Sequence, residues 1–124
     1  MKKYIETPNA PAAIGPYSQA IDTGNLLFLS GVMPIDPSTG NLVESDITKQ
    51  ASQIMKNVDA ILKEAGYTQD NVVKTTCFLS DINNFSAFNE VYGKYFTSKP
   101  CRSCVAVKDL PKQALVEVEI IASK

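Results

Sequence analysis

The sequence contains no histidine. Histidine is the side chain that most often transfers protons near neutral pH, so acid–base chemistry in this chain falls to other groups, carboxyls first among them. A zinc site is also disfavoured, because zinc is held mainly by histidine and cysteine and this chain has only three cysteines. We therefore expect no metal centre.

An excess of either charge is also missing. Lys and Arg number 12 against 13 Asp and Glu, which gives a formal net charge of −1, and the lysines are scattered singly. A chain so close to neutral has no long-range field that would attract a polyanion. We therefore expect no nucleic-acid partner.

Long apolar runs are absent as well. No run approaches the roughly 20 residues that span a bilayer, and residues 1–8 carry no apolar stretch of the kind found in secretory signals. We expect a soluble, cytoplasmic protein without a membrane partner. With 124 residues, of which 44% are hydrophobic, the chain has the size of one compact domain covering residues 1–124.

Cysteine is scarce and odd in number, so the chain cannot hold a complete set of disulfides. The Cys101-x-x-Cys104 spacing resembles a metal or redox motif, but the surrounding residues favour a strand. Along a strand, an offset of three sends the side chains to opposite faces with Cα atoms roughly 10 Å apart, beyond disulfide reach. We interpret these residues as small, half-buried thiols in a reducing compartment.

Two segments have helical periodicity. From Ile47 to residue 65 the apolar residues recur at helical spacing, with Asp46 placed to cap the start and Gly66 placed to end the helix. Aromatic residues recur in the same way further along, and we assign them to core packing. The sequence predicts helices over residues 47–65 and 84–96.

Alternating apolar residues and turn signals indicate six strands. They are predicted over residues 3–5, 17–21, 26–30, 72–79, 101–107 and 115–122. The strand–helix–strand order from 72 to 107 is typical of a crossover between parallel strands. The sequence therefore predicts an α+β fold in which a mixed β-sheet carries both helices on one face.

The opposite face of this sheet has no cover in the predicted fold. Val105, Val107, Leu115 and Ile121 would still need burial there, and a domain of this size has no further element to supply it. We expect a second copy of the chain to pack on this face. A pocket carrying Arg102 would then lie at or near a subunit boundary.

Two charges fall inside strand-like runs and are the first candidate site residues. Arg102 is flanked by the small residues Cys101 and Ser103, and its planar fork matches a carboxylate. Glu117 and Glu119 share the face opposite the apolar face of the last strand, where contact with a partner subunit would raise a glutamate pKa and favour acid–base work. We expect the two charges on adjacent strands. An internal salt bridge from Arg102 to either glutamate is the alternative.

Two further residues lie near this candidate pocket. Cys104 shares a face with Arg102, but nothing supplies the histidine that activates most nucleophilic thiols, so its backbone is expected to matter more than its sulfur. Tyr17 follows the rigid Gly15-Pro16 turn at the head of a predicted strand, a place where tyrosine is more often structural than functional.

Five segments and one glutamate occur in a specific order and spacing. They are APAAIGPYSQA at 10–20, SG at 30–31, DPSTG at 36–40, FNEVY at 88–92, PCRSCV at 100–105, and Glu117. Together they resemble the Rid family, the reactive-intermediate (enamine/imine) deaminases, from about residue 8 to residue 122. An arginine followed by Ser-x-Val, here beginning at Arg102, marks the deaminase-competent members of that family.

This resemblance implies a chorismate-mutase-like α+β fold that assembles as a homotrimer with clefts between subunits. It also implies hydrolysis of reactive 2-imino acids and enamines, such as 2-iminobutanoate and 2-iminopropanoate, to 2-oxo acids and ammonia without a cofactor. By position, Arg102 would bind the substrate carboxylate, backbone groups at Cys104 would contact the imine, and Glu117 would orient the attacking water. The pocket walls would be Tyr17, Ser30 and Gly31.

The chain departs from the family pattern at two places beside these positions. Val32-Met33 follows Gly31 where many relatives have Gln-Ile, and Cys101 stands where many have alanine. Both changes bear on substrate preference rather than on activity. Two other functions stay open: a ligand-binding or regulatory trimer that uses the same carboxylate pocket without turnover, and a ribonuclease or translation inhibitor.

Overall fold

A computed structural model describes residues 2–124 of the chain. Within these residues, six strands form one sheet in the order β1-β2-β3-β8-β6-β7, and β4 and β5 form a separate hairpin. The strands are β1 Lys3–Ile5, β2 Ala20–Asp22, β3 Leu26–Val32, β4 Ile35–Asp36, β5 Asn41–Leu42, β6 Val72–Leu79, β7 Cys101–Ala106 and β8 Val116–Ser123. The helices are α1 Ile47–Ala65 and α2 Phe85–Tyr95, with short 3₁₀ turns at Gln69–Asn71, Ile82–Asn84 and Pro111–Gln113.

The sheet is mixed, as predicted. β6 and β7 run parallel, whereas β1–β2, β2–β3, β3–β8 and β8–β6 are antiparallel pairs. α2 carries the chain from β6 across to β7, which is the connection that a parallel pair requires. The predicted α+β fold with a crossover between residues 72 and 107 is therefore confirmed.

Both helices begin and end close to the predicted positions. The Asp46 carboxylate accepts a backbone N–H of the first turn of α1 at 2.9 Å. Gly66 ends this helix with a φ of +81°, a left-handed conformation that costs glycine little because it has no Cβ. α2 is one residue shorter at each end than predicted. The helices contact each other, and the Tyr95 hydroxyl donates to Asp59 across the contact at 3.0 Å.

Alternation along the strands divides the sheet into two faces. The even-numbered positions of β8 from 116 to 122 are buried in the core shared with the helices, which makes theirs the helix face. The odd-numbered residues Glu117 and Glu119 therefore lie on the opposite side, called the open face below. On β7, Arg102 pairs with the fully buried Thr75, so Arg102 and Cys104 belong to the helix face.

The open face lacks cover from the helices, as the sequence predicts. Phe28 on β3 is 42% exposed and Val105 on β7 is 46% exposed. Val107, Leu115 and Ile121 are only half-buried. No helix among residues 2–124 combines the length and the apolar character that crossing a bilayer demands.

The strand expected over residues 17–21 is shorter in the structure. β2 begins only at Ala20, so Tyr17 lies in the loop before it rather than at its head. The Ser30 hydroxyl holds the Ser18 carbonyl at 2.6 Å, and β3 leaves its regular register just beyond Leu29, the partner of Ala20. The ladder of β2 and β3 cannot extend towards Tyr17 for this reason.

The expectation that Arg102 and Glu117 lie on adjacent strands is wrong. β6 lies between β7 and β8, because β8 pairs with both β3 and β6 and the crossover adds β7 at the outer edge. Several strand ends also differ slightly from the predicted ones, since β3 continues to Val32 and β8 to Ser123. Val107 and Leu115 lie just outside β7 and β8.

Candidate functional site

Arg102 is held against α2. Its Nη1 donates to Oδ1 of Asn89 at 2.5 Å, and its guanidinium carbon lies 4.7 Å from the ring centre of Tyr92 and 5.4 Å from that of Phe85. Ring faces attract the cation and one amide fixes its rotation, so the fork is kept in one plane. Two-point binding of a carboxylate requires such an oriented fork.

Asn89 is a site residue that the sequence reasoning missed. It lies four residues after Phe85 and three before Tyr92, on the helix face that Arg102 covers. The signal was present in the sequence, since Asn89 is a short polar residue on the same face as two aromatic ones. Phe85, Asn89 and Tyr92 together form the surface of α2 on which the Arg102 guanidinium packs.

The backbone beside Arg102 is open at the sheet edge. Val107 donates its N–H to the Leu79 carbonyl of β6 at 2.8 Å, so odd-numbered residues of β7 point their backbone groups towards β6. Even-numbered residues, Arg102 and Cys104 among them, then direct their N–H and C=O groups away from the sheet. The backbone groups at Cys104, which the sequence analysis expects to matter more than the sulfur, are therefore unpaired within the sheet.

The thiol of Cys104 is poorly suited to nucleophilic attack. Burial raises its pKa, and the nearby Arg102 charge offsets this effect only in part. Its strand neighbour Cys77 is fully buried, which raises the pKa of that thiol to about 12. Both sulfurs are therefore protonated near neutral pH. Because the thiolate is the nucleophilic form of cysteine, neither residue is an effective nucleophile.

Glu117 lies on the open face, in a cleft of about 680 Å³. Its carboxylate reaches into the space between the strands and the loop before β2. The cleft brings together four of the predicted site residues, which are Tyr17, Ser30, Gly31 and Glu117. These four are called the Glu117 half-site below.

Gly31 makes room for this carboxylate. A Cβ at position 31 would stand 1.8 Å from Oε2 of Glu117 and 2.8 Å from its carboxyl carbon. The first distance is far shorter than any van der Waals contact. The two residues therefore fit only because position 31 has no side chain.

The environment of Glu117 shifts its protonation. Burial raises the pKa of the Glu117 carboxyl, and the negative charge of Glu119, two residues along on the same face, raises it further. A carboxyl of this kind keeps its proton at a higher pH than an ordinary glutamate. It can accept and return protons closer to neutral pH.

Ser30 and Tyr17 have different tasks in the cleft. The Ser30 hydroxyl donates to the Ser18 carbonyl at 2.6 Å, so its proton is used to hold the loop. Tyr17 is 53% exposed at the cleft wall, beyond a turn in which its N–H reaches the Gly15 carbonyl at 2.9 Å. Gly15 has a φ of +145°, which disfavours other residues there.

One chain does not bring all predicted site residues together. Arg102 and Cys104 lie with Asn89 and Tyr92 on the helix face of the edge strand, a group called the Arg102 half-site below. The Glu117 half-site lies on the opposite face, with β6 between the two strands. The alternative of an internal salt bridge is wrong, because within residues 2–124 the polar side-chain partner of Arg102 is Asn89 rather than a glutamate.

The three residues that depart from the family pattern, Val32, Met33 and Cys101, occupy different environments. Val32 lines the cleft but is only 4% exposed, as part of the core. Met33 is half-buried in the cleft lining, and its carbonyl accepts from Asn57 at 3.0 Å. Cys101 is exposed and lies on the opposite face of β7 from Arg102. Of the three, Met33 is the one placed to contact a ligand in the cleft.

Comparisons with known proteins agree with this architecture. The family model described as Endoribonuclease L-PSP matches residues 7–124. A RutC family protein of Pyrococcus horikoshii is 53% identical over 125 residues, covering 100% of this chain and 99% of that protein. A crystal structure of a Yersinia pestis protein of the conserved Rid family is 55% identical, with a TM-score of 0.97 over 100% of both chains. Escherichia coli TdcF, in a crystal structure with bound serine, is 43% identical, with a TM-score of 0.94 over 98% of both chains.

The contact between Gly31 and Glu117 can be tested by a double-mutant cycle. Gly31→Ala should lower the free energy of unfolding by about 1 to 3 kcal/mol, because the new methyl group displaces the carboxylate. In a Glu117→Ala background the same substitution should cost less than about 0.5 kcal/mol, because its clash partner is gone. Urea unfolding of the four proteins gives the coupling energy. Equal costs in both backgrounds would show that the two residues do not compete for this space.

Proposed function

The chain belongs to the family described as Endoribonuclease L-PSP, which includes RutC and Rid proteins, and we propose that its own activity is the hydrolytic deamination of reactive 2-imino acids. Substrates such as 2-iminobutanoate and 2-iminopropanoate, with their enamine forms, would yield 2-oxo acids and ammonia. The observation that carries this proposal is the half-buried Glu117 carboxylate fitted against Gly31 in an open cleft. It supplies an acid–base group in a chain without histidine.

Recognition of the substrate is assigned to the Arg102 half-site. An oriented guanidinium binds a carboxylate at two points, and the outward backbone groups at Cys104 lie where they could contact the neighbouring imine nitrogen. The related TdcF was crystallised with serine, a ligand that carries the same carboxylate and a nitrogen on the adjacent carbon. That finding supports a site for small 2-amino or 2-imino acids in this family.

Assembly is part of the proposal, because the two half-sites lie on opposite faces of one sheet. We assign the complete site to the boundary between two copies, with the Arg102 half-site of one copy facing the Glu117 half-site of the next. A contact between two different surfaces closes into a ring when the rotation allows it. Three copies related in this way form the homotrimer, and the exposed Phe28 and Val105 become part of its interfaces.

The chemistry then follows from the positions of the groups. Arg102 fixes the carboxylate, and with it the electrophilic carbon of the protonated imine. A water oxygen bonds to this carbon while the π pair moves to nitrogen and Glu117 takes a water proton. Glu117 returns that proton to the nitrogen, the C–N bond breaks, and the hydroxyl gives its proton to Glu117 as the C=O bond forms. Glu117 passes this last proton to the departing ammonia, which restores the carboxylate, and ammonium leaves with the 2-oxo acid.

Assembly can be tested at the open face. The wild type should sediment as a trimer, and Val105→Asp should weaken assembly and activity together, since an unpaired charge would be buried against the partner. Lys63→Glu, on the exposed face of α1, changes charge away from the sheet and serves as the control. Analytical ultracentrifugation beside an imine hydrolysis assay gives both readouts. A Val105→Asp monomer with full activity would contradict the shared site.

Mixing two inactive variants tests the shared site directly. Arg102→Ala and Glu117→Gln should each lower turnover by at least an order of magnitude, since each removes one charged contact of about 1.5 to 3 kcal/mol. Unfolded and refolded together at equal amounts, they should recover about a quarter of wild-type activity, because random trimers contain some sites built from the two intact halves. Each variant refolded alone is the control. If the mixture stays as inactive as its components, the two residues act within one chain.

Binding without turnover is the competing function. Glu117→Gln distinguishes the two, because a carboxylate site needs Arg102 whereas hydrolysis also needs Glu117. Under the deaminase proposal this variant keeps its affinity for 2-oxobutanoate and loses turnover. A binding or regulatory trimer would show no imine hydrolysis even in the wild type. RNA cleavage by the purified chain would favour the ribonuclease that the family description names.

The pH dependence of activity tests the state of Glu117. The carboxylate form accepts the water proton, so kcat/KM should fall as the pH decreases through the raised pKa, above the range of an ordinary glutamate. Glu119→Gln removes the neighbouring negative charge, lowers the Glu117 pKa and should move this acidic limb to lower pH. Glu64→Gln removes an equal charge from the exposed surface of α1 and should leave the limb in place. A limb unmoved by Glu119→Gln would exclude Glu117 as its source.

A further inference from the structure

The wall of the cleft is a segment without regular secondary structure. Residues 6–19 connect β1 to β2, and five of them line the cleft: Gln19, which directly precedes β2, and four residues that form the wall. These wall residues are Pro11, Ala12, Ile14 and Tyr17. A segment of this kind has no ladder of backbone hydrogen bonds, so something else must satisfy its polar groups and fix its position.

Gln19 supplies that support. Its side-chain oxygen accepts the Thr7 N–H at 2.7 Å, and its amide nitrogen donates to the Pro11 carbonyl at 2.8 Å and the Thr7 carbonyl at 3.1 Å. The Ala10 carbonyl lies 3.4 Å from the same nitrogen. Gln19 is only 6% exposed. Both ends of its amide are thus used by the backbone at the start of the wall.

The same residue is tied to the floor of the cleft. The Gln19 carbonyl accepts the Ser30 N–H at 3.0 Å, and Gly31, the next residue, lies directly against Glu117. A continuous path of hydrogen bonds and chain therefore runs from the wall through Gln19 to the position of the carboxylate. The separation between wall and carboxylate depends on this path.

We propose that Gln19 is a positioning residue that sets the width of the cleft between the wall and Glu117. It would act on the substrate through Ile14 and Tyr17, which line the cleft together with Glu117, and not on the reacting atoms. This inference rests on the proposed function for its kinetic consequence. Its structural consequence, an ordered wall, does not depend on any activity.

Glutamine is suited to this role by its donors, its acceptor and its length. An ionised glutamate accepts from Thr7 but cannot donate to the two carbonyls, and leucine does neither. Gln19→Glu therefore removes part of the side-chain hydrogen bonding to the wall, and Gln19→Leu removes all of it. Both substitutions change the side-chain volume little. Gln50→Leu is a matched control. Gln50 is also buried, and its amide joins two backbone groups, the Leu115 N–H at 2.9 Å and the Val43 carbonyl at 3.4 Å, that lie outside the cleft lining.

Hydrogen exchange of the full-length protein is the first measurement. The hydrogen-bonded backbone amides of this segment, those of Thr7, Asn9 and Tyr17, should exchange at least about tenfold faster in both Gln19 variants than in the wild type, because local opening costs less. The Gln50→Leu variant should keep wild-type exchange in this segment. Unchanged protection in Gln19→Leu would overturn the proposal, whatever the protein hydrolyses. If Gln19→Leu fails to fold, Gln19→Glu decides by the same criterion.

Steady-state kinetics with 2-iminobutanoate, generated in the cuvette by an amino acid oxidase, is the second measurement. A displaced wall weakens substrate binding but leaves Glu117 in place, so KM should rise about tenfold while kcat changes less than about threefold. An equal rise in KM in the Gln50→Leu variant would show that general destabilisation causes the effect, and this result would contradict the positioning role. Absence of turnover in the wild type would refute the proposed function alone, since the exchange experiment still judges Gln19.

Discussion

Strict alternation of side chains across the sheet is the constraint on which the rest of this structure depends. Because the even positions of β8 complete the core beneath the helices, Glu117 must point to the open face. Because Arg102 pairs with the buried Thr75, it must point to the helix face. A slip of one residue in either strand would move these charges to the wrong side and bring polar groups into the core. Core packing thus fixes the placement of both charged groups.

Local side-chain contacts then fix the positions of the Glu117 carboxylate and the Arg102 guanidinium more closely than the sheet alone. Gly31 leaves the volume that the Glu117 carboxylate occupies, and Asn89 with Tyr92 orients the Arg102 guanidinium. These contacts place one charge in a restricted space and hold the other in a plane. Such preorganisation lets a group act without reorganising when the substrate arrives.

Features with a local or periodic signal could be predicted from the sequence. The Asp46 and Gly66 caps, both helices, the crossover and the mixed sheet are examples, and the family resemblance is confirmed by the comparisons. The position of β6 between β7 and β8 could not be predicted, because the order of strands is decided by long-range pairing. Asn89 was missed for a similar reason. Helical spacing shows that Asn89 shares a face of α2 with Phe85 and Tyr92, but nothing local in the sequence shows that the distant Arg102 packs on that face.

The outer edge of β7 has a consequence for the newly made chain. This strand has six residues, its even positions direct backbone donors and acceptors away from the sheet, and Val105 is 46% exposed beside them. An edge of this kind is a template on which another extended segment can pair, and proteins with such edges aggregate unless the edge is covered. A partner that covered β7 would therefore protect the chain from adhesion to foreign strands. The edge stays exposed until such a partner binds, and because association is slower at low concentration, that period is longest in dilute solution.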